Sequence, residues 1–89
     1  GWNNSLNVLA RMDEHAEDRA VGPRRPVEMG RTYHMRIERQ GNRISAWVDD
    51  EELVSMDDPN PLEGQGHDHF AFNDWEADLW FDNFSIEPL

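Results

Sequence analysis

Cysteine and lysine are both absent from the 89 residues. Without cysteine there is no disulfide framework, no thiolate metal site and no thiol nucleophile, and the redox compartment stays undetermined. Without lysine, the eight basic residues are all arginine, set against 19 acidic ones for a formal net charge of −11. A field of that sign repels phosphate backbones and anionic lipid, which argues against nucleic acid and membrane surfaces as partners. The arginine bias suits a salt-rich setting, and GC-rich codon usage would give the same bias. No apolar run approaches the roughly 20 residues of a membrane-spanning helix, and no charged n-region with a following h-region opens the chain. It opens on Gly1-Trp2 without an initiator methionine, as expected of a processed, excised or fragmentary product. A chain this short has room for one small core, so a two-domain enzyme is ruled out.

What is present is strand-like alternation. Leu6, Val8 and Ala10 alternate with Asn7, Leu9 and Arg11, which predicts a first, half-buried strand. From Asp13 to Gly30 the alternation stops in a charged run followed by Gly22-Pro23-Arg24-Arg25-Pro26, and a long surface loop is expected over 13–30. The clearest signal comes next, a β-hairpin over 31–49. Tyr33, Met35 and Ile37 alternate with His34, Arg36 and Glu38, then Gly41-Asn42 marks a two-residue turn before Ile44, Ala46 and Val48 alternate with Ser45, Trp47 and Asp49. With that turn, Ile37 faces Ala46 and Met35 faces Val48 on an apolar side, while Glu38 meets Ser45, Arg36 meets Trp47 and His34 meets Asp49 on a polar side. A second tight turn is expected around Asp50-Glu51, then a short strand from Glu52 to Met56. The turn formers of 57–68 predict a loop, and short strands are expected over 69–73 and 77–87, with Phe70, Phe72, Trp75, Trp80, Phe81 and Phe84 assigned to the core.

Five or six antiparallel strands punctuated by turns predict an all-β fold, an antiparallel β-sandwich or jelly roll. In 89 residues such a sandwich leaves edges and part of a face uncovered, so a homo-oligomer, or a larger sandwich whose N-terminal half lies elsewhere, is expected.

The stretch from Arg31 to Val54 resembles the strand pair of concanavalin A-like lectin/glucanase domains. The closing Leu79-Trp80-Phe81-Asp82-Asn83-Phe84-Ser85-Ile86 is similar to their last strand. Within that superfamily the resemblance is nearest to uncharacterised carbohydrate-locus sandwich families and the LamG-like 3-keto-disaccharide hydrolase group. It covers about two thirds of the chain and corresponds to the C-terminal half of such a domain. It implies a concanavalin A-like jelly roll, a poly- or oligosaccharide partner, and an extracellular or periplasmic location. Two positions depart from the pattern: Thr32 stands where tryptophan is commoner, and Asp50 replaces the glycine of a usual Asp-Gly turn. A Cβ where positive φ is wanted predicts a second turn longer than two residues.

Sugar recognition uses a flat aromatic against the C–H face of the ring and planar polar groups that bond vicinal hydroxyls. The polar side of the hairpin offers those types, with Trp47 as platform and His34, Arg36, Glu38 and Asp49 as substrate-binding partners. A solvated sheet surface, with Arg36 lying on Trp47 and Glu38 in an exposed ion pair, uses the same residues without a ligand. Glycoside hydrolysis would need two carboxylates flanking the scissile bond, such as Glu38 and Asp49 with Asp13 or Glu14. No strand shows the Glu-x-Asp-x-Glu type of signature common in glucanases, so no catalytic residue is assigned and the enzyme reading stays open. His67-Asp68-His69 puts two imidazoles on one face if extended, with His15 or Asp74 as further ligands of a divalent metal. Asp57, Asp58 and Asn60 are oxygen donors of the kind calcium takes, in a turn without the EF-hand pattern. No cofactor is otherwise expected. The charged loop around Asp13-Glu14-His15, Arg19, Arg24 and Arg25 is placed to overhang a groove. Asn3-Asn4-Ser5 and Asn83-Phe84-Ser85 match the glycosylation acceptor pattern. The reading that unites most of these features is a carbohydrate-binding or carbohydrate-processing module. A glycosidase with catalytic groups partly outside this segment and a non-catalytic assembly module stand as alternatives.

Overall fold

A computed structural model describes residues 2–89; Gly1, with which the expectation of a processed terminus began, lies outside the described residues. Five strands form two antiparallel sheets, and no helix occurs among the described residues. Strands β1 (Val8–Leu9) and β2 (Ala20–Val21) make a two-stranded ribbon; β3 (Met35–Gln40), β4 (Arg43–Val48) and β5 (Glu51–Asp57) make a three-stranded meander. The architecture is a small, partial β-sandwich.

The hairpin carries the register that its alternation dictates. Met35 pairs with Val48, Arg36 with Trp47, Ile37 with Ala46 and Glu38 with Ser45. Gly41 takes φ of 60° at the turn, a value that costs glycine nothing. Between β4 and β5, Ala46 pairs with Val54 and Trp47 with Glu52, leaving Leu53 as the extra residue of a β-bulge. Without the bulge Val54 would lie opposite Ser45 on the polar face. With it, Val54 returns beside Ala46 on the apolar face, and the meander keeps one face apolar.

The second turn departs from expectation in length and place. It is a two-residue turn at Asp49-Asp50, since Val48 pairs directly with Glu51. Both aspartates sit in the left-handed region, at φ 50° and 64°. Aspartate tolerates this conformation better than most residues, which is how the turn stays short without glycine.

The first strand is also shorter than its pattern predicts, and the 13–30 loop contains β2. Val8 pairs with Val21 and Leu9 with Ala20, and Gly22 N–H donates to Asn7 O at 2.8 Å. The ladder then ends because Pro23 has no N–H to give.

Ala46, Val48 and Val54, each at most 8% exposed, are the buried apolar centre. The ribbon crosses β5 at Gly22, where a Cβ would lie 2.5 Å from Leu53 O and 2.9 Å from Val54 Cβ. On the same face Met35 and Ile37 remain 64% and 58% exposed, so the cover reaches β4 and β5 but not β3.

Residues 69–73 and 77–87, expected as strands, carry no ladder, because no strand among the described residues lies beside them to accept and donate their backbone bonds. The aromatics assigned to the core are correspondingly open. Phe70, Phe72, Phe81 and Phe84 stack on one another at about half exposure, while Trp75 and Trp80 are 85% and 92% exposed.

Gly22→Ala is expected to lower stability by about 1–3 kcal/mol, since its methyl meets backbone rather than a movable side chain. Asp50→Gly is expected to raise it by about 0.5–1 kcal/mol by relieving positive φ. Urea denaturation checks both, as shifts of midpoint without a change in slope.

Candidate functional site

Cross-strand pairing brings Arg36, Glu38, Ser45 and Trp47 onto the face opposite Ala46 and Val54. Arg36 Nε is 3.1 Å from Glu38 Oε1, and the guanidinium carbon lies 4.7 Å from the Trp47 ring centre. These side chains form one layered unit with indole beneath and an ion pair above. The pair is partly shielded, with the Arg36 and Glu38 side chains 43% and 30% exposed. Trp47 itself is half-buried, and its indole N–H is buried without a hydrogen-bond partner among the described residues. Ser45, at the centre of the sheet, is buried.

Arg43 lies along the same face toward β5, donating to Ser55 Oγ at 2.7 Å and to the Asp57 carboxylate at 3.3 Å. The face therefore alternates guanidinium and carboxylate across three strands, with planar donors and acceptors side by side.

Asp49 belongs to a different knot. Its Oδ1 accepts the His34 N–H at 2.9 Å, and Asp49 N–H donates to His34 O at 2.8 Å. Its Oδ2 lies 3.4 Å from an Arg25 nitrogen and 3.3 Å from an Arg31 nitrogen. Arg25 also donates to Val48 O at 2.9 Å, and Arg31 rests on the Tyr33 ring at 4.7 Å. Tyr33 Oη accepts the Glu28 N–H at 2.7 Å. Both carboxylate oxygens of Asp49 are thus engaged in fastening the β4–β5 turn to the segment before β3. The His34 side chain is exposed beside this knot.

Arg25, Arg31 and Tyr33 were invisible as a group to spacing. They converge only because the loop folds back across the turn, and the sole hint in sequence was the richness of that loop in arginine.

The remaining candidates are held by other partners. Asp58 is buried and pairs with Arg11 at 3.4 Å while its Oδ1 accepts the Asn60 N–H; Asp57 turns to Arg43. His69 pairs with its neighbour Asp68 at 2.7 Å, and His15 packs edge-on against Trp2 beside Glu14. Among the described residues no three metal-ligating side chains converge. Asp13 spends its Oδ1 on the His15 N–H at 2.9 Å. With Glu14 and His15 it borders an open cleft of about 590 Å³ floored by Val8, Leu9 and Met12, to which the Arg36–Trp47 face contributes no residue.

No protein family matches the chain, and no solved structure matches it. One curated relative does. The chain is similar to levanase from Bacillus subtilis (strain 168). Identity to levanase is 31% over 62 residues, which are 70% of this chain and 9% of the levanase. The chain thus spans under a tenth of the length of that relative. Among the described residues no helix is long and apolar enough to cross a membrane.

Asp49→Ala is expected to cost about 2 kcal/mol, since it strips an acceptor from the His34 N–H and from two guanidinium groups. Asp49→Asn keeps Oδ1 as acceptor and is expected to recover part of the loss. Thermal and urea unfolding of the two variants measure the difference.

Proposed function

We propose that the chain is a carbohydrate-binding β-sandwich module of the concanavalin A-like lectin/glucanase type, exported to an extracellular or periplasmic setting. The observation that supports this most is the Arg36–Glu38 pair at 3.1 Å layered on Trp47. A guanidinium edge and a carboxylate side by side present fixed donors and acceptors, the complement of two neighbouring hydroxyls on a sugar ring. The indole beneath is the flat apolar base that holds the guanidinium, and so the donors that a sugar would meet, in place. Because the pair is already assembled, little side-chain freedom is lost when a sugar replaces its water. His34 extends the polar edge, and Asp49 contributes by holding that edge against β4.

The similarity to levanase supports the substrate class, a poly- or oligosaccharide, and makes levan the natural first probe. Binding is favoured over hydrolysis by where the acids are held. Glu38 is ion-paired to Arg36 and Asp49 to Arg25 and Arg31 in a separate cluster, so the two carboxylates serve different partners rather than flanking a common scissile bond.

Isothermal titration against levan and a panel of soluble polysaccharides tests the reading. Trp47→Ala and Arg36→Ala are each expected to weaken binding about tenfold or more, equivalent to about 1.4 kcal/mol. Undiminished affinity in a folded Trp47→Ala protein would remove the platform from the interpretation.

A further inference from the structure

By rows across the three strands, the polar face of the meander is Gln40–Arg43–Asp57, Glu38–Ser45–Ser55 and Arg36–Trp47–Glu52. It carries two guanidinium groups and three carboxylates. Each guanidinium is already paired from within the face. Arg36 Nε lies 3.1 Å from Glu38 Oε1, and Arg43 lies 3.3 Å from Asp57 Oδ1 and 4.0 Å from Glu52 Oε1. Both positive charges are therefore answered locally, with one carboxylate in excess.

This balance belongs to the strands that carry it, because every pair forms within β3–β5 and needs no other part of a longer protein. The opposite face is the one that calls for an apolar cover, since Met35 and Ile37 stay open there. The same cover laid on the polar face would strip water from five charged side chains, a cost that leaves this side to water and polar ligands.

A sugar hydroxyl and an anionic sugar group meet this face differently. A hydroxyl donates as well as accepts, so neighbouring hydroxyls can donate to the Glu38 carboxylate while accepting from the Arg36 guanidinium. A carboxylate or sulfate ester only accepts. Reaching Arg36 sets it beside Glu38, and like charges placed together exclude a partner more effectively than any missing attraction. Elsewhere on the face it meets Glu52 and Asp57, with Arg43 already paired to both.

Resting on the proposed sugar site, we infer that this face selects uncharged glycans, and that Glu38 sets the selectivity by occupying the guanidinium an anionic sugar would otherwise take. Glu38 is thus a specificity-determining residue as well as a contact.

Isothermal titration with levan and two of its derivatives, matched in length and degree of substitution, tests this. One derivative carries carboxymethyl groups, the other hydroxyethyl groups of similar bulk without charge. The parent protein is expected to bind the hydroxyethyl polymer about tenfold or more tighter than the carboxymethyl polymer. Glu38→Gln keeps the shape and removes the charge. It is expected to narrow the ratio to about threefold or less, raising affinity for the anionic polymer while lowering it for the neutral one. A purely structural role for Glu38 would lower both together. In that variant the carboxymethyl polymer is also expected to shift the Arg36 Nε–H resonance, which locates the gained contact. Glu17→Gln removes an equal charge from the exposed loop before β2 and is expected to leave the ratio unchanged. Binding of levan by the parent without discrimination between the derivatives overturns the selectivity alone. So does an unchanged ratio in folded Glu38→Gln, an unmoved Arg36 resonance, or an equal effect of Glu17→Gln. Failure to bind levan or the hydroxyethyl polymer at all overturns the sugar site, and the selectivity with it.

Discussion

Strand β4 bears the structure. It pairs along its full length with β3 on one side and with β5 on the other, and it supplies two of the three buried apolar residues, Ala46 and Val48. Because side chains alternate with period two, placing Ala46 and Val48 inward obliges Ser45 and Trp47 to face the other way. The core and the candidate site are therefore two faces of one strand. A register slip on either flank would carry Arg36 or Glu52 into the apolar layer, where an unpaired charge is costly. The bulge at Leu53 serves the same constraint, correcting by one residue a pairing that would otherwise set Val54 among polar groups.

Two clusters of charge hang from this strand and differ in what they can do. Around Trp47 the arginine and the carboxylate stand partly in solvent on a flat aromatic base, the arrangement on which the proposed sugar site rests. Around Asp49 every acceptor is committed to backbone N–H groups or guanidinium, and the aspartate holds a strained turn in place. Similar residue types thus divide into recognition and bracing, and the division follows from which partners reach them.

The same imbalance that leaves the core small leaves the other end of the chain open. Three buried apolar side chains stabilise a meander; they do not cover Met35, Ile37 and the aromatics of 70–86.

The alternating runs either side of Gly41-Asn42 were enough to predict the hairpin, its register and the separation of Ile37 from Trp47, since a strand's two faces are written in neighbouring residues. The all-β class was legible for the same reason. The strands expected at 69–73 and 77–87 were not realised, because a strand exists only beside another strand, and propensity in Phe70, Phe72 or Trp80 cannot supply the neighbour. The place and length of the Asp49-Asp50 turn, the approach of Gly22 to Leu53, and the convergence of Arg25 and Arg31 on Asp49 were decided by tertiary structure alone. These depend on the path of a loop that carries no periodicity, so contacts distant in sequence settle them where local pattern is silent.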